Sequence, residues 1–117
     1  MNRAPYILPV QEPWLSLIAD GEKTVEGRAG PATKFAHFVG KRVKFVNKKR
    51  VVYVEVIAVH HYKDLYSYLN EVEWHNAAPH LSSFKGTVAA YHKYHNDTEI
   101  ANLGGINAIH VRVCGGW

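Results

Sequence analysis

Alternation of apolar and polar side chains, which is typical of half-buried strands, is clearest in the middle and at the end of the chain. The most strongly marked stretch is 51–60, where β-branched residues are frequent and Val52, Val54 and Val56 share one face. A polar turn joins it to the alternating segment before it, so the two predict a β-hairpin. The pattern predicts strands at residues 6–10, 24–28, 42–46, 51–60 and 106–113.

Between these strands the apolar residues recur at helical spacing. Glu12-Pro13 starts a first helix, because proline suits the first helical position, and Gly21 ends it. Asp64 caps a short second helix, and a third is predicted over residues 84–95, with the segment 71–79 as a loop. We therefore expect an α+β fold, a small β-barrel of about five to six mostly antiparallel strands with two to three helices flanking the barrel mouth.

The composition adds limits to this picture. With 117 residues, 47% of them hydrophobic, the chain is long enough for one domain over residues 1–117 with its own core. Cys114 is the only cysteine, which suits a reducing compartment. No segment approaches the roughly 20 apolar residues of a membrane span, and the N-terminal residues do not resemble a signal peptide. We expect a cytoplasmic monomer that binds no membrane and needs no cofactor.

The formal net charge of +4 is unevenly distributed, because many of the basic residues fall in one short segment around the predicted hairpin. The basic residues of this segment are Lys41, Arg42, Lys44, Lys48, Lys49 and Arg50. Such a cluster can attract phosphates and steer a polyanion towards the fold. The alternative is that the three residues of the turn only keep the hairpin tip soluble.

The segment Gly21–Arg28 places three charged residues at a junction between a helix and a strand. Glu26 and Arg28 share a strand face, and Lys23 lies in the turn before them. Lysine and arginine can hold a phosphate, while Glu26 can accept a hydrogen bond from a base or a ribose hydroxyl. The alternative is a surface ladder of salt bridges, which contributes about 0–1 kcal/mol.

This segment resembles the opening of the ASCH (activating signal cointegrator homology) domain, whose signature Gly-x-Lys-x-x-Glu-x-Arg is met by Gly21, Lys23, Glu26 and Arg28. The preceding stretch with its tryptophan and the later helical segment also resemble that family. The resemblance implies a PUA-like barrel with a cleft beside the motif. It also implies binding of RNA or another nucleic acid, and in some members hydrolysis of modified cytidines or ribonuclease activity.

The acetylcytidine amidohydrolase branch of that family uses a lysine, a threonine nucleophile and a glutamate. Lys23 matches the lysine, but the nucleophile position falls on Glu26. Thr24 lies two residues earlier, and Glu71 and Glu73 lie in the region of the third residue. The resemblance thus makes Lys23, Glu26 and Thr24 the catalytic candidates, while the missing threonine favours binding over amide hydrolysis.

Histidines and aromatic residues offer further candidates. His92 and His95 are three residues apart on one helix, but nothing completes a metal-binding signature, so we predict no metal site. Trp14, beside the motif, could stack on a base, whereas Tyr91 is predicted to face the core. Three functions therefore stay open: a module that binds RNA, single-stranded nucleic acid or a nucleotide, a small hydrolase acting on RNA or modified nucleosides, and a protein-interaction adaptor.

Overall fold

The computed structural model describes residues 6–115 and has one curled five-stranded sheet in the order β1-β3-β4-β5-β2. The strands are β1 (Tyr6–Pro9), β2 (Val25–Ala29), β3 (Arg42–Val46), β4 (Val51–Tyr62) and β5 (Ile106–Val113). β1 pairs with β3 in parallel, and the other neighbours are antiparallel. The expected α+β class, with five mostly antiparallel strands curled into a half-barrel, is confirmed.

The long strand β4 holds the sheet together, since it pairs with both β3 and β5. A register shift between Val56 and Ala58 interrupts its ladder with β5, and irregularities of this kind bend a strand. The two edge strands are β1 and β2, and the seam of the half-barrel lies between them. The Arg28 side chain on β2 crosses this seam and donates a hydrogen bond from Nη2 to the Pro9 carbonyl oxygen on β1.

Between residues 6 and 115, five α-helices accompany the sheet, more than the two to three predicted. They are α1 (Trp14–Ala19), α2 (Leu65–Val72), α3 (Trp74–Ala77), α4 (Phe84–His92) and α5 (Asp97–Asn102). The predicted loop 71–79 was wrong, because it contains the end of α2 and all of α3, separated by Glu73 with φ 65°. In the described part of the chain, none of these helices is long and apolar enough to cross a membrane.

Helix α5 was not predicted, because the polar residues Asn96 and Asp97 that begin it are equally typical of the end of the preceding helix. The Asn96 side chain accepts from the Glu99 backbone N–H, and the Glu99 side chain accepts from the Asn96 backbone N–H, each at 2.8 Å. This reciprocal capping box begins a helix. The chain therefore turns from α4 directly into α5, which brings both helices to the same side of β2.

The core lies on both faces of the sheet. Inside the curl, α1 packs Leu15 and Ile18 against β3, β4 and Ile109 of β5. On the outer face, α2 packs Tyr68 and other residues against Val25 of β2 and the first half of β5. β5 is therefore buried on both faces where it pairs with β2, which fixes the position of β2 and of the motif that it carries.

Candidate functional site

The motif begins where α1 ends. Gly21 has φ +81°, a conformation that favours glycine, and its N–H bonds to the Ile18 carbonyl. The backbone N–H groups of Glu22 and Lys23 both bond to the Leu17 carbonyl, which reverses the chain before β2 begins. This tight turn places the Lys23 side chain beneath the start of β2 rather than in solvent.

Lys23 is almost completely buried, with 1% of its surface exposed. Its Nζ donates to the carbonyls of Val25 at 2.7 Å and Ala77 at 2.6 Å, lies 3.5 Å from Glu26 Oε1, and sits 5.0 Å from the centre of the Trp14 ring. Burial lowers the pKa of Lys23, and the Glu26 carboxylate opposes this effect. The lysine therefore joins α3 to β2 and holds one oxygen of Glu26 in place.

The other carboxylate oxygen of Glu26 is paired with Arg28. Arg28 Nε donates to Glu26 Oε2 at 2.8 Å, and the Glu26 residue is 7% exposed. The charged ends of Lys23, Glu26 and Arg28 thus meet, with two cations on one carboxylate. Because the Arg28 side chain is still 28% exposed, the net positive charge of this ionic triad reaches solvent at the seam.

A cavity of about 320 Å³ opens at the seam, next to the ionic triad. The segment Glu26–Ala29 of β2 forms one side, and Pro9 and Gln11 lie across from it. The other walls are mainly aromatic and apolar. Their residues are Trp14, Tyr91, Tyr94, His95, Ile100 and Ile106. We call this cavity the seam pocket.

The aromatic residues of the seam pocket are tied to one another. Trp14 Nε1 donates to the Tyr94 hydroxyl at 2.8 Å, so α1 is connected to the turn after α4 across the pocket. The hydroxyls of Tyr91 and Tyr68 are 2.7 Å apart, and burial raises the pKa of both, which keeps them protonated at neutral pH. Tyr91 was missed as a site residue because an inward-facing tyrosine on a helix is more often part of a core, and Tyr94 was missed because nothing near it in sequence indicates its contact with Trp14.

Tyr68 explains the glycine inside the motif. A Cβ atom on Gly27 would lie 2.6 Å from the Tyr68 hydroxyl and 2.8 Å from its Cζ. Gly27 therefore allows Tyr68 to lie directly on β2 and to position Tyr91 in the pocket wall. The signature Gly-x-Lys-x-x-Glu-x-Arg leaves this position free, so the motif alone does not reveal the requirement.

Thr24 lies outside the seam pocket. Its carbonyl accepts from Val111 N–H at 3.0 Å, and the residue is exposed. With Lys23 and Arg112 it lines a second depression, at the far end of β5 from the pocket aromatics. Of the glutamates considered for a catalytic role, Glu73 forms an exposed ion pair with His75 at 3.8 Å.

The basic cluster is divided by the hairpin. The turn at residues 48–50 is anchored beside α1, because Asn47 Nδ2 donates to the Val10 carbonyl at 3.0 Å and to Glu12 Oε2 at 3.1 Å. Arg50 Nε lies 3.8 Å from the same carboxylate oxygen. This places Lys48, Lys49 and Arg50, which we call the basic tip, next to the loop that contains Gln11 of the seam pocket.

The remaining basic residues lie elsewhere on β3. Arg42 is at the opposite end of the strand from the turn, about 13 Å from Val46 at roughly 3.3 Å per residue. Lys41 precedes it, and Lys44 occupies a half-buried position in the middle of the strand. Among residues 6–115, no three side chains of histidine, cysteine, aspartate or glutamate are grouped so that they could hold a metal ion.

The ASCH domain belongs to the PUA-like class of folds. The profile of the ASCH domain matches residues 8–112, and the chain belongs to this family. The crystal structure of hypothetical protein PH0355 is similar with a TM-score of 0.81 and 22% identity, covering 93% of this chain and 98% of that one.

The solution NMR structure of protein PF0455 from Pyrococcus furiosus is also similar, with a TM-score of 0.71 and 22% identity over 95% of this chain and 98% of that one. At this identity the two solved structures support the fold alone. No curated protein sequence matches the chain.

Proposed function

We propose that this ASCH domain binds single-stranded RNA or a nucleotide, with one base in the seam pocket. The observation that carries the proposal is that Trp14, Tyr91 and Tyr94 line the same cavity as the Glu26–Arg28 ion pair. Aromatic side chains stack on bases, each contributing about 1–3 kcal/mol, and a charged pair can then hydrogen-bond the edge of the base.

The charges around the pocket favour an anionic ligand. Arg28 carries the net positive charge of the ionic triad to the mouth of the pocket. The basic tip is exposed and is held beside the Val10–Glu12 loop by Asn47. A nucleotide whose base enters the pocket would leave its phosphates in solvent, and we propose that the basic tip contacts phosphates of the flanking chain.

Hydrolysis is the second candidate, and the lowered pKa of Lys23 is the observation that favours it. A lysine base must have a free lone pair near a hydroxyl nucleophile. Lys23 and Thr24 both line the second depression, but Lys23 Nζ donates to two carbonyls and lies 3.5 Å from Glu26 Oε1, so it is held as a hydrogen-bond donor rather than as a free base. This geometry supports binding better than amide hydrolysis, although Glu26 could act as a general base on a water molecule.

The test is fluorescence anisotropy with labelled single-stranded RNA and DNA oligomers of each base, at several salt concentrations. Trp14→Leu and Arg28→Gln should each weaken binding about 10-fold or more, since each removes a direct contact. Lys63→Gln removes an exposed cation that does not line the pocket and should leave binding nearly unchanged. Equal affinities for all three variants and the native chain would refute the assignment of the base to the seam pocket.

The same protein is incubated with N4-acetylcytidine and with RNA, and products are measured by mass spectrometry. Product formation that is abolished by Lys23→Ala and Thr24→Ala would support the hydrolase instead. Product formation that is abolished by Glu26→Gln but not by Thr24→Ala would support attack by water.

A further inference from the structure

Among residues 6–115, strand β2 pairs with another strand on one side only, and its register shows which backbone groups point towards the unpaired edge. Val111 N–H donates to the Thr24 carbonyl at 3.0 Å, and Gly30 N–H donates to the Gly105 carbonyl at 2.9 Å. Both pairs continue the β2–β5 register, in which hydrogen-bonded pairs alternate along the strand. The backbone groups of Val25, Gly27 and Ala29 therefore point away from β5, towards the seam.

Two of these outward groups already have partners. The Val25 carbonyl accepts from Lys23 Nζ at 2.7 Å, and the Gly27 N–H faces the Tyr91 hydroxyl. Within residues 6–115, the Gly27 carbonyl and the N–H and carbonyl of Ala29 have no hydrogen-bond partner. Gly27 and Ala29 both line the seam pocket, so these groups are available to whatever occupies it.

Free main-chain groups at a sheet edge can pair with an additional strand, but this edge is too short for that. At the Val25 end of the edge, Lys23 and Tyr91 already contact the outward backbone groups. At the other end, Gly30 has φ +147° and its N–H is bonded to the Gly105 carbonyl, so the chain leaves the edge there. Three consecutive free groups, inside a cavity of about 320 Å³ with aromatic walls, suit one planar ring better than an extended peptide.

We infer that β2 reads the base through its main chain and selects bases that carry an exocyclic amino group. The amino group donates to the Gly27 carbonyl and to Glu26, while the neighbouring acceptor of the base receives the Ala29 N–H. Cytosine, adenine and guanine can each pair with these two acceptors and one donor of the protein. Uracil has a carbonyl oxygen in place of the amino group of cytosine, as hypoxanthine has in place of that of adenine, and these oxygens would place lone pairs against an acceptor; in place of the guanine amino group hypoxanthine has only a C–H. This inference rests on the proposed function and adds the chemical identity of the ligand.

The first test compares bases with and without the exocyclic amino group; guanine and hypoxanthine differ by that group alone, and in the other pairs the neighbouring ring nitrogen also changes from acceptor to donor. Oligomers with cytidine and uridine are compared, as are oligomers with adenosine or guanosine and inosine. At least one amino-bearing base should bind about 10-fold more tightly than its counterpart, as expected for a good pair of hydrogen bonds. If the native chain binds RNA with equal affinity for all of these, the inference fails and the proposed function stands. If it binds none, the proposed function itself fails.

The second test removes only the Ala29 N–H. Proline is tolerated in edge strands where the N–H faces outward, so Ala29→Pro deletes the donor without breaking the β2–β5 ladder. Ala29→Val keeps the N–H and adds similar bulk, so it is the matched control. Ala29→Pro should lose the preference for the amino-bearing base, and Ala29→Val should retain it. Equal preference in both variants would overturn the inference.

A third measurement uses the native protein and does not require that the Ala29→Pro variant folds. In ¹⁵N-labelled native protein, addition of the preferred nucleoside monophosphate should shift the Ala29 amide resonance downfield. The Arg28 amide, which is bonded to β5, should move much less. An unchanged Ala29 amide at saturation, or a shift that is produced only by an extended peptide, would show that the base is not read by this edge.

Discussion

Replacing Gly27 with alanine tests how closely the fold and the pocket depend on one contact. The new methyl group would lie 2.6 Å from the Tyr68 hydroxyl, 2.8 Å from Cζ and 2.9 Å from Cε2. Tyr68 is completely buried, and its hydroxyl is 2.7 Å from that of Tyr91, so the ring has no free space to enter. The structure must therefore shift either β2 or α2.

Overpacking of this kind costs about 1–3 kcal/mol. Replacing glycine with alanine also restricts the unfolded chain and stabilises a compatible site by about 0.4–1 kcal/mol, which is smaller than the cost of the clash. We therefore expect Gly27→Ala to lower the free energy of unfolding by roughly 1–2 kcal/mol, and Tm by about 4–8 °C.

The assay is urea unfolding followed by circular dichroism. Gly115→Ala makes the same substitution where no atom lies within 4 Å of the new methyl group, and it should change stability by less than about 0.5 kcal/mol. Adding Tyr68→Phe to Gly27→Ala removes the hydroxyl but not Cζ, so stability should not recover. A Gly27→Ala protein as stable as the Gly115→Ala control would refute the packing argument.

Three other predictions concern the buried Lys23, the half-buried His110 and the basic tip. Lys23→Met, compared with Lys63→Met, should lower the free energy of unfolding by roughly 3–5 kcal/mol, because it leaves one side of the buried Glu26 carboxylate unpaired. Burial, together with His60, lowers the pKa of His110 in the folded state, so stability should be greatest above the unfolded-state pKa of about 6.5 and should fall as the pH drops through the folded pKa. Urea midpoints at pH 7.5 and pH 5 measure this loss, and an equal loss in His110→Gln would contradict the assignment. Alanine at positions 48–50 should reduce the slope of log K against log salt for single-stranded RNA by about two units, and an unchanged slope would mean that the basic tip only keeps the hairpin soluble.

The sequence predicts the strands well because their signals are local. Alternation over 51–60 and the polar turn before it specify a hairpin without reference to the rest of the chain. The convergence of Lys23, Glu26 and Arg28 also follows from local geometry, since two residues share a strand face and the third lies in the adjoining turn. The ASCH resemblance, which is confirmed, depends on the same short segment.

The pocket itself depends on contacts between residues far apart in sequence. The hydrogen bond from Trp14 to Tyr94 joins residues 80 positions apart, and no periodicity in the predicted helix 84–95 indicates it. The helix α5, which supplies Ile100 to the pocket, begins at a polar sequence that is equally typical of a helix end. The division of the basic cluster likewise depends on tertiary structure, because the Asn47 contacts with Val10 and Glu12 determine which end of the hairpin adjoins the site.

Lys23 shows why stability and binding must be measured separately in this family. Two backbone carbonyls hold its ammonium group in place, and the Glu26 carboxylate faces it. Its replacement would therefore weaken binding even if it never contacts a ligand, because Glu26 and the start of β2 would move. Arg28 is different, since part of its surface is exposed at the pocket mouth. A variant of Arg28 that loses affinity while it retains most of its stability would locate recognition at the seam, whereas loss of affinity in a Lys23 variant cannot separate the two roles.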